Sequence, residues 1–484
     1  MLVIILGLTV SVLDGTIVNL ALPGIANELQ ASAAQSIWVV NAYQIATLVM
    51  LLPLASLGDR IGYRRVYLVG LAFFTVSSVA ATFANSLATL IAARAVQGLG
   101  AAGIMSVNAA LVRLTYPSDK LGRGIAINSL VVATASVAGP TVAAVILSVA
   151  SWPWLFALNV PLGIATWWLG MRALPFNVAK ASGLRLSLVD VGFNIAMFSL
   201  IFIGADGLGV REGGGAAAGQ GSTLAAWLTL AAGIVVGVIY VQRQRKLATP
   251  LLPIDLLRIP VFALSMCTSI TAFCAQTLAY IALPFLLLES YGRSHFEAGA
   301  LITAWPAAIV VVAPFVGRLI GKYPDGLLGG VGQGLLACGL AALALLPDNP
   351  SNFDIAWRMA LCGIGFGLFQ SPNNHTIVSA PPPHRAGAAS GMLGTARLTG
   401  QSIGAVILAA TFGIWSPHDG KGPIIALGLA AACAGLSAVF SSLRTRHPTP
   451  RHHGKARGMT SIGKPPGDET LIRHGHDTRH CPPG

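Results

Sequence analysis

Charge is what this chain of 484 residues has least of. Only 10% of its residues are Asp, Glu, Lys or Arg, where a soluble domain carries about 25%. Hydrophobic residues make up 54%, and mean hydropathy is +0.72. A soluble chain of this length would need two or three domains, each clothed in charge, and the charges are too few. Lipid must solvate most of the surface. Enzyme spacings are missing too. There is no His-Glu-x-x-His, no Gly-x-Ser-x-Gly and no pair of acids inside an apolar run, so the chain does not read as an enzyme and no metal centre is expected. The six cysteines (Cys267, Cys274, Cys338, Cys362, Cys433, Cys481) form no Cys-x-x-Cys pair, and the five in apolar segments read as small packing residues.

Nucleotide binding is also excluded. Gly98-Leu99-Gly100-Ala101-Ala102-Gly103 has the Gly-x-Gly-x-x-Gly spelling but lies inside a long apolar helix with no strand before it. Gly458 to Lys464 nearly spells a phosphate loop, yet Pro465 stands where Ser or Thr is needed. No cofactor is expected.

What is present is a succession of apolar runs long enough to span a bilayer, which takes about 20 residues. Fourteen qualify: 2–22, 37–57, 66–84, 88–112, 124–148, 153–173, 188–207, 223–241, 261–288, 297–316, 327–346, 356–379, 387–412 and 423–442. The 55 glycines suit close helix–helix approach in lipid. With the N-terminus inside, the inner loops carry sixteen Lys and Arg and the outer loops and edges four. One missed span would invert every later loop, so this asymmetry supports the count. Both termini are expected in the cytoplasm of a multi-pass protein of the inner or plasma membrane. The net charge of +13 is then topogenic and faces anionic lipid, and no nucleic-acid partner is expected. Residues 1–13 lack a basic leader, so no cleavable signal is expected, and Met1 is doubtful as the natural start.

Three segments stand apart. Residues 174–187 read as a cytoplasmic connector, 208–222 as a flexible Gly-rich outer loop, and 443–484 as a disordered basic tail. His474, His476, His480 and Cys481 in that tail read as solvated residues.

A few polar residues sit inside the spans. Asp14 is alone in the first apolar run, about 20 Å along its helix at 1.5 Å per residue. A carboxylate at that depth is expensive and is usually retained to move a proton, bind an ion or face a substrate path; the alternative is pairing with another helix. Arg94 is a permanent charge at similar depth, with Gln97 at i+3 on the same face. Arg397 with Gln401 forms a comparable face near the other end of the chain. Asn41 with Gln44, and Gln370 with Asn373 and Asn374, place amides one turn apart. These amides, with Asn19, either line a cavity or bond neighbouring helices. Asp190 and Asp206 lie near the two ends of one span. Trp38, Trp152 and Trp154 stand at span ends and read as interfacial anchors.

The loop Ala55-Ser56-Leu57-Gly58-Asp59-Arg60-Ile61-Gly62-Tyr63-Arg64-Arg65 resembles the signature loop of the major facilitator superfamily, with Ala55 where Gly is usual. Arg94-Ala95-Val96-Gln97-Gly98-Leu99-Gly100 is similar to its buried-arginine motif. Gly139-Pro140-Thr141-Val142-Ala143-Ala144 resembles its antiporter motif, with Ala143 and Ala144 in place of Gly. The run from Leu13 to Pro23, and Trp152-Pro153-Trp154-Leu155-Phe156-Ala157-Leu158-Asn159-Val160-Pro161-Leu162-Gly163, look like signatures of its fourteen-span drug:proton antiporters; Pro153 replaces the usual Arg. The second half echoes the signature loop at Gly317-Arg318-Leu319-Ile320-Gly321-Lys322.

The resemblance implies an all-α polytopic fold of fourteen helices. Residues 1–173 and 260–442 would form two six-helix bundles related by pseudo-symmetry. Residues 174–259 would supply a connector and two extra helices, and 443–484 the tail. A substrate cavity would lie between the bundles and open alternately to each side. It implies export of small amphipathic compounds by proton antiport; export of an endogenous metabolite and a non-transporting receptor remain as alternatives. Asp14 and Arg94 become candidates for proton coupling or substrate contact, with a structural hydrogen-bond anchor open for Arg94. Asp59, Arg60, Gly62 and Arg64 become a candidate latch: Asp59 ends a span and could meet a helix N-terminus and an Arg at the cytoplasmic seam. Gly139-Pro140 would kink its helix at the seam between bundles. The energy source would be the proton gradient. One charge across ~100 mV is worth ~2.3 kcal/mol, and a tenfold pH gradient adds ~1.4 kcal/mol. A monomer is expected, with a small-molecule substrate, protons and the bilayer as partners.

Overall fold

The computed structural model describes residues 1–115, 121–176, 187–209, 220–247, 253–320, 322–347, 349–381, 386–416 and 420–446. Most of the connector, the Gly-rich loop and the tail beyond 446 lie outside them. In chain order the helices are α1 (Leu2–Ile17), α2 (Leu22–Glu28), α3 (Ala33–Ser36), α4 (Trp38–Ile61), α5 (Tyr63–Thr82), α6 (Leu87–Thr115), α7 (Leu121–Val149), α8 (Pro153–Ala157) and α9 (Asn159–Ala173). They continue as α10 (Leu188–Gly209), α11 (Gln220–Gln244), α12 (Pro260–Phe285), α13 (His295–Leu319), α14 (Asp325–Ala344), α15 (Asn352–Ser379), α16 (Ala386–Ile414) and α17 (Lys421–Leu443). No strand occurs among the described residues.

Helix ends follow local chemistry. Ser32 Oγ accepts from the Gln35 backbone N–H at 3.1 Å while Gln35 Oε1 accepts from the Ser32 backbone N–H at 2.9 Å, a reciprocal cap that starts α3. Ser294 and Glu297 start α13 the same way. Gly62 turns the corner between α4 and α5 at φ +106°, a region that disfavours any side chain.

Twelve helices are long and apolar enough to cross a membrane among the described residues. The sequence count of fourteen is not reached. In α7 the described apolar stretch is only Ala138–Val149. The other is α15, which carries Gln370, Asn373, Asn374 and His375 within its length. The first span is longer than the apolar run suggested: a 3₁₀ turn, Val18–Ala21, carries α1 into α2, so the span covers Leu2–Glu28 and Asp14 falls near its middle.

Helix packing after residue 259 repeats the packing before residue 174. The pairs α5–α6, α4–α6, α1–α7 and α5–α9 recur as α14–α15, α13–α15, α12–α16 and α14–α17. Glycines make the crossings close in both. A methyl group on Gly100 would sit 2.6 Å from the Gly70 carbonyl, and one on Gly365 2.6 Å from the Gly332 carbonyl. On Gly98 it would strike the Tyr43 carbonyl, and on Gly363 the Trp305 carbonyl. Such contacts let backbones, not side chains, set the spacing of helices in lipid.

Two long helix pairs join the halves, α7 with α13 and α4 with α16, and α2 and α3 add contacts to α12 and α16 at one end. The largest apolar core lies where Leu20, Ile25 and Trp152 meet Phe285, Leu287 and Phe412. This closes the halves together at the end that holds Glu28. The hairpin α10–α11 packs through α10 on both α4 and α16.

Candidate functional site

The sequence gives α1 a single carboxylate, and the fold brings four helices to it. Arg94 Nη1 of α6 donates to Asp14 Oδ2 at 2.6 Å. Gln97 Nε2 donates to Asp14 Oδ1 at 3.0 Å, and Asn159 Nδ2 of α9 donates to the same oxygen at 2.7 Å. Gln97 also donates to Ser78 Oγ of α5 at 2.9 Å and accepts from Arg94 at 2.6 Å. Asp14 and Arg94 are 0% and 1% exposed in their side chains, so the attraction acts where water does not screen it.

The remaining faces of Arg94 are covered as well. Its Nε donates to the Val39 carbonyl of α4 at 3.0 Å, and its guanidinium lies 4.3 Å from the Tyr43 ring centroid. The Tyr43 hydroxyl in turn donates to the Ser11 carbonyl at 3.2 Å. A buried ion pair is tolerated only when its other lone pairs and N–H groups are also satisfied. Three donors occupy the lone pairs of this one carboxylate.

Gly139 and Pro140 connect this cluster to the second half. Gly139 packs on Thr16, two residues past Asp14; a methyl group there would collide with Thr16 Oγ1. On the far side Gly299 of α13 rests on Pro140 and Ala144, and Thr141 Oγ1 lies 2.9 Å from Thr303 Oγ1. Gly139→Ala is therefore expected to destabilise the protein by about 1–3 kcal/mol, the usual cost of overpacking. Thr16→Ala in the same chain should recover part of that, read from thermal unfolding in detergent.

The other candidates separate. Asp59 accepts from the Tyr63 hydroxyl at 2.6 Å, and no ion pair joins it to an arginine among the described residues. Arg64 donates to the Met171 carbonyl of α9 and lies 3.9 Å over the Phe176 ring. Arg60 is half-buried beside them. These contacts stay within the first half. Asn373 is tied into a different cluster: it donates to Ser269 Oγ at 2.7 Å and accepts from Arg444 Nη1 at 2.7 Å. Arg444 also holds Ser265 and Ser441. The sequence reading counted Arg444 with the tail, and only its position one residue past α17 hinted otherwise. Gln370 is half-buried. Asn41, Gln44 and Asn19 each keep buried amide atoms without a hydrogen-bond partner. Arg397 has a buried Nε in the same condition.

Asp190 pairs with Arg243 at 2.6 Å across the α10–α11 hairpin, and the side chain of Asp206 lies outside the description. Trp152 is not an interfacial anchor. It is 4% exposed and donates to Glu28 Oε2 at 2.8 Å. Trp154, by contrast, is exposed.

Comparison with known proteins agrees with this architecture. The profile of the Major Facilitator Superfamily matches residues 4–405. The chain is 50% identical over 450 residues to the uncharacterized transporter YebQ of Escherichia coli (strain K12), covering 93% of this chain and 96% of that one. It is 27% identical to the riboflavin transporter RibZ of Clostridioides difficile (85% and 87% covered), and 30% identical to the tetracenomycin C resistance and export protein of Streptomyces glaucescens (84% and 74%). Among solved structures, a peptide transporter of the POT family in complex with a thioalcohol-conjugated peptide superposes with a TM-score of 0.68 at 15% identity, over 92% of this chain and 95% of that one.

Proposed function

The chain belongs to the Major Facilitator Superfamily, and from that membership we propose that it exports small amphipathic compounds in exchange for protons by alternating access. The observation that carries the reading is the buried Asp14–Arg94 pair with Gln97 and Asn159 on the same carboxylate. Protonation of Asp14 removes the charge that Arg94 neutralises. Arg94 can then rest on Gln97 Oε1 and the Val39 carbonyl, both already in reach, while Asn159 is released. The two states differ in how tightly α1, α6 and α9 are held. Through Thr16, Gly139 and Gly299 that difference reaches the seam with the second half. In this reading the chain has fourteen spans and two bundles, 1–173 and 260–442. It is a monomer in the cell membrane with cytoplasmic termini, and the joined Glu28 end is the closed outer gate.

The exporter among the relatives supports this direction of transport. The riboflavin transporter supports a second reading, handling of an endogenous metabolite by the same machinery. Proton release into or from inverted vesicles tests the coupling. With a preset pH gradient and a panel of dyes and antibiotics, the wild type should collapse the gradient with some compounds and Asp14→Asn with none. Equal responses would place coupling elsewhere. No response to any compound, with no flux, would favour a non-transporting receptor.

A further inference from the structure

Arg397, half-buried on α16, has no ion-pair partner among the described residues. Arg397 lies on α16 between two contact faces. Gly391 and Gly394 lie against Leu52 and Leu51 of α4, while Gly400 and Gly404 lie against the Ile270 and Cys274 carbonyls of α12. At about 100° per residue, Arg397 falls between those faces. It therefore points into the angle between a helix of each half. Its guanidinium lies 5.7 Å from the Phe273 ring centroid, and its charge reaches Tyr43. It makes no hydrogen bond or ion pair with the described residues, and its Nε is shut off from solvent.

The buried charges Asp14, Arg94 and Asp190 are ion-paired, and buried Arg444 is hydrogen-bonded to Ser265, Asn373 and Ser441. The two buried carboxylates among the described residues are Asp14 and Asp190, and Arg94 and Arg243 hold them. Among the described residues no acid forms an ion pair with Arg397. A half-buried guanidinium with no ion-pair partner is costly and favours an incoming anion.

The surroundings specify more than charge. Phe273, Gln276 and Tyr280 lie at i, i+3 and i+7, one face of α12. Gln276 hydrogen-bonds the Tyr280 hydroxyl, and Tyr280 packs edge-on against Trp305 at 4.9 Å. Trp305 is fully buried and its Nε1 has no acceptor. Across from α16, Leu48 and Leu51 of α4 pack on Leu398 and Val406. Gln44 and Asn41 continue that α4 face toward the Glu28 end, with amide atoms also unpartnered.

We infer that the cargo is a planar aromatic anion, its acidic group on Arg397 and its ring on the α12 face beside Phe273 and Tyr280. The Trp305 N–H donates to a carbonyl on the ring, and the Asn41 and Gln44 amides donate to its carbonyls or accept from its hydroxyls. The inference rests on the transport reading but not on its proton coupling.

Two xanthene dyes of one shape and opposite charge test it: fluorescein, an anion, and a rhodamine ester, a cation. Uptake of each is followed in inverted vesicles carrying the wild type, Arg397→Gln or Arg397→Lys, with proton movement recorded alongside. The expected result is fluorescein uptake by the wild type. Arg397→Gln should lower it roughly tenfold to a hundredfold, the usual loss when a buried charge loses its partner group. Arg397→Lys, which keeps the charge, should restore part of it and so rules out misfolding. Rhodamine uptake without fluorescein uptake, no uptake of either dye, or fluorescein uptake indifferent to Arg397→Gln would each overturn the inference. Fluorescein uptake without proton movement would uphold it and refute the coupling alone. Rhodamine uptake with proton movement would uphold the coupling and refute the anion.

Discussion

Asp14→Asn and Arg94→Gln should each cost about 3–5 kcal/mol of stability, because each leaves a buried charge with no counter-ion. Asp14→Asn strands the guanidinium, which is 1% exposed, and leaves it Gln97, the Val39 carbonyl and the Tyr43 and Phe156 rings but no counter-ion. Arg94→Gln strands the carboxylate, still with Gln97 and Asn159 donating to it, so it should be the milder of the two. The double variant Asp14→Asn/Arg94→Gln has no buried charge here and should regain most of the loss, a non-additivity of the size that neighbours in one network show. Thermal unfolding of the purified proteins in detergent reads the cycle. Purely additive losses would mean that the pair is not coupled. Transport gives the complementary result. If Asp14 carries the proton, the double variant is stable and still fails to collapse a pH gradient, which separates the pair's structural role from its chemical one.

The second large effect concerns Gly98 and Gly363. Each lies against a carbonyl of the helix two before it in its half, Tyr43 of α4 in one and Trp305 of α13 in the other, and the obstacle is backbone, which cannot rotate away. Gly98→Val and Gly363→Val should each cost at least about 3 kcal/mol, the upper range of overpacking, and yield little folded protein on size-exclusion chromatography. Their consequences should differ where protein survives. Gly98→Val displaces α4 beside the Tyr43 ring that covers Arg94, so it should weaken proton coupling. Gly363→Val displaces Trp305 and should weaken cargo binding instead. Equal effects on both readouts would show that the two crossings have no local function.

The membrane character and most helices were legible because charge is scarce and the apolar runs are long. Asp14, Arg94 and Gln97 stood out for the same reason: a charged or amide group in an apolar run has high contrast. Their union was not legible. Asp14 and Asn159 lie on helices far apart in sequence, and Asn159 drew notice only as one letter of a motif. Ser78 is a small hydroxyl among many. For Asn373, cavity lining and bonding to a neighbouring helix stayed equally open, because its partner, Arg444, sat just beyond the last apolar run and was counted with the tail. Trp152 followed the rule for aromatic residues at span ends until Glu28, on a span longer than its apolar run, came to meet its indole N–H.

The α10–α11 hairpin covers one of the two lines along which the halves meet. Asn194 Nδ2 donates to the Val49 carbonyl at 2.7 Å, and Phe198 and Phe202 join the apolar cluster that α4 and α16 share. The Asp190–Arg243 pair fastens the hairpin to itself. On the other line, between α7 and α13, Thr141 is open to the surroundings. The two flanks therefore offer unequal access from the bilayer. A solute dissolved in the leaflet meets a wall of two extra helices on one flank and a pair of threonine hydroxyls on the other. Lateral entry, where it occurs, has one doorway.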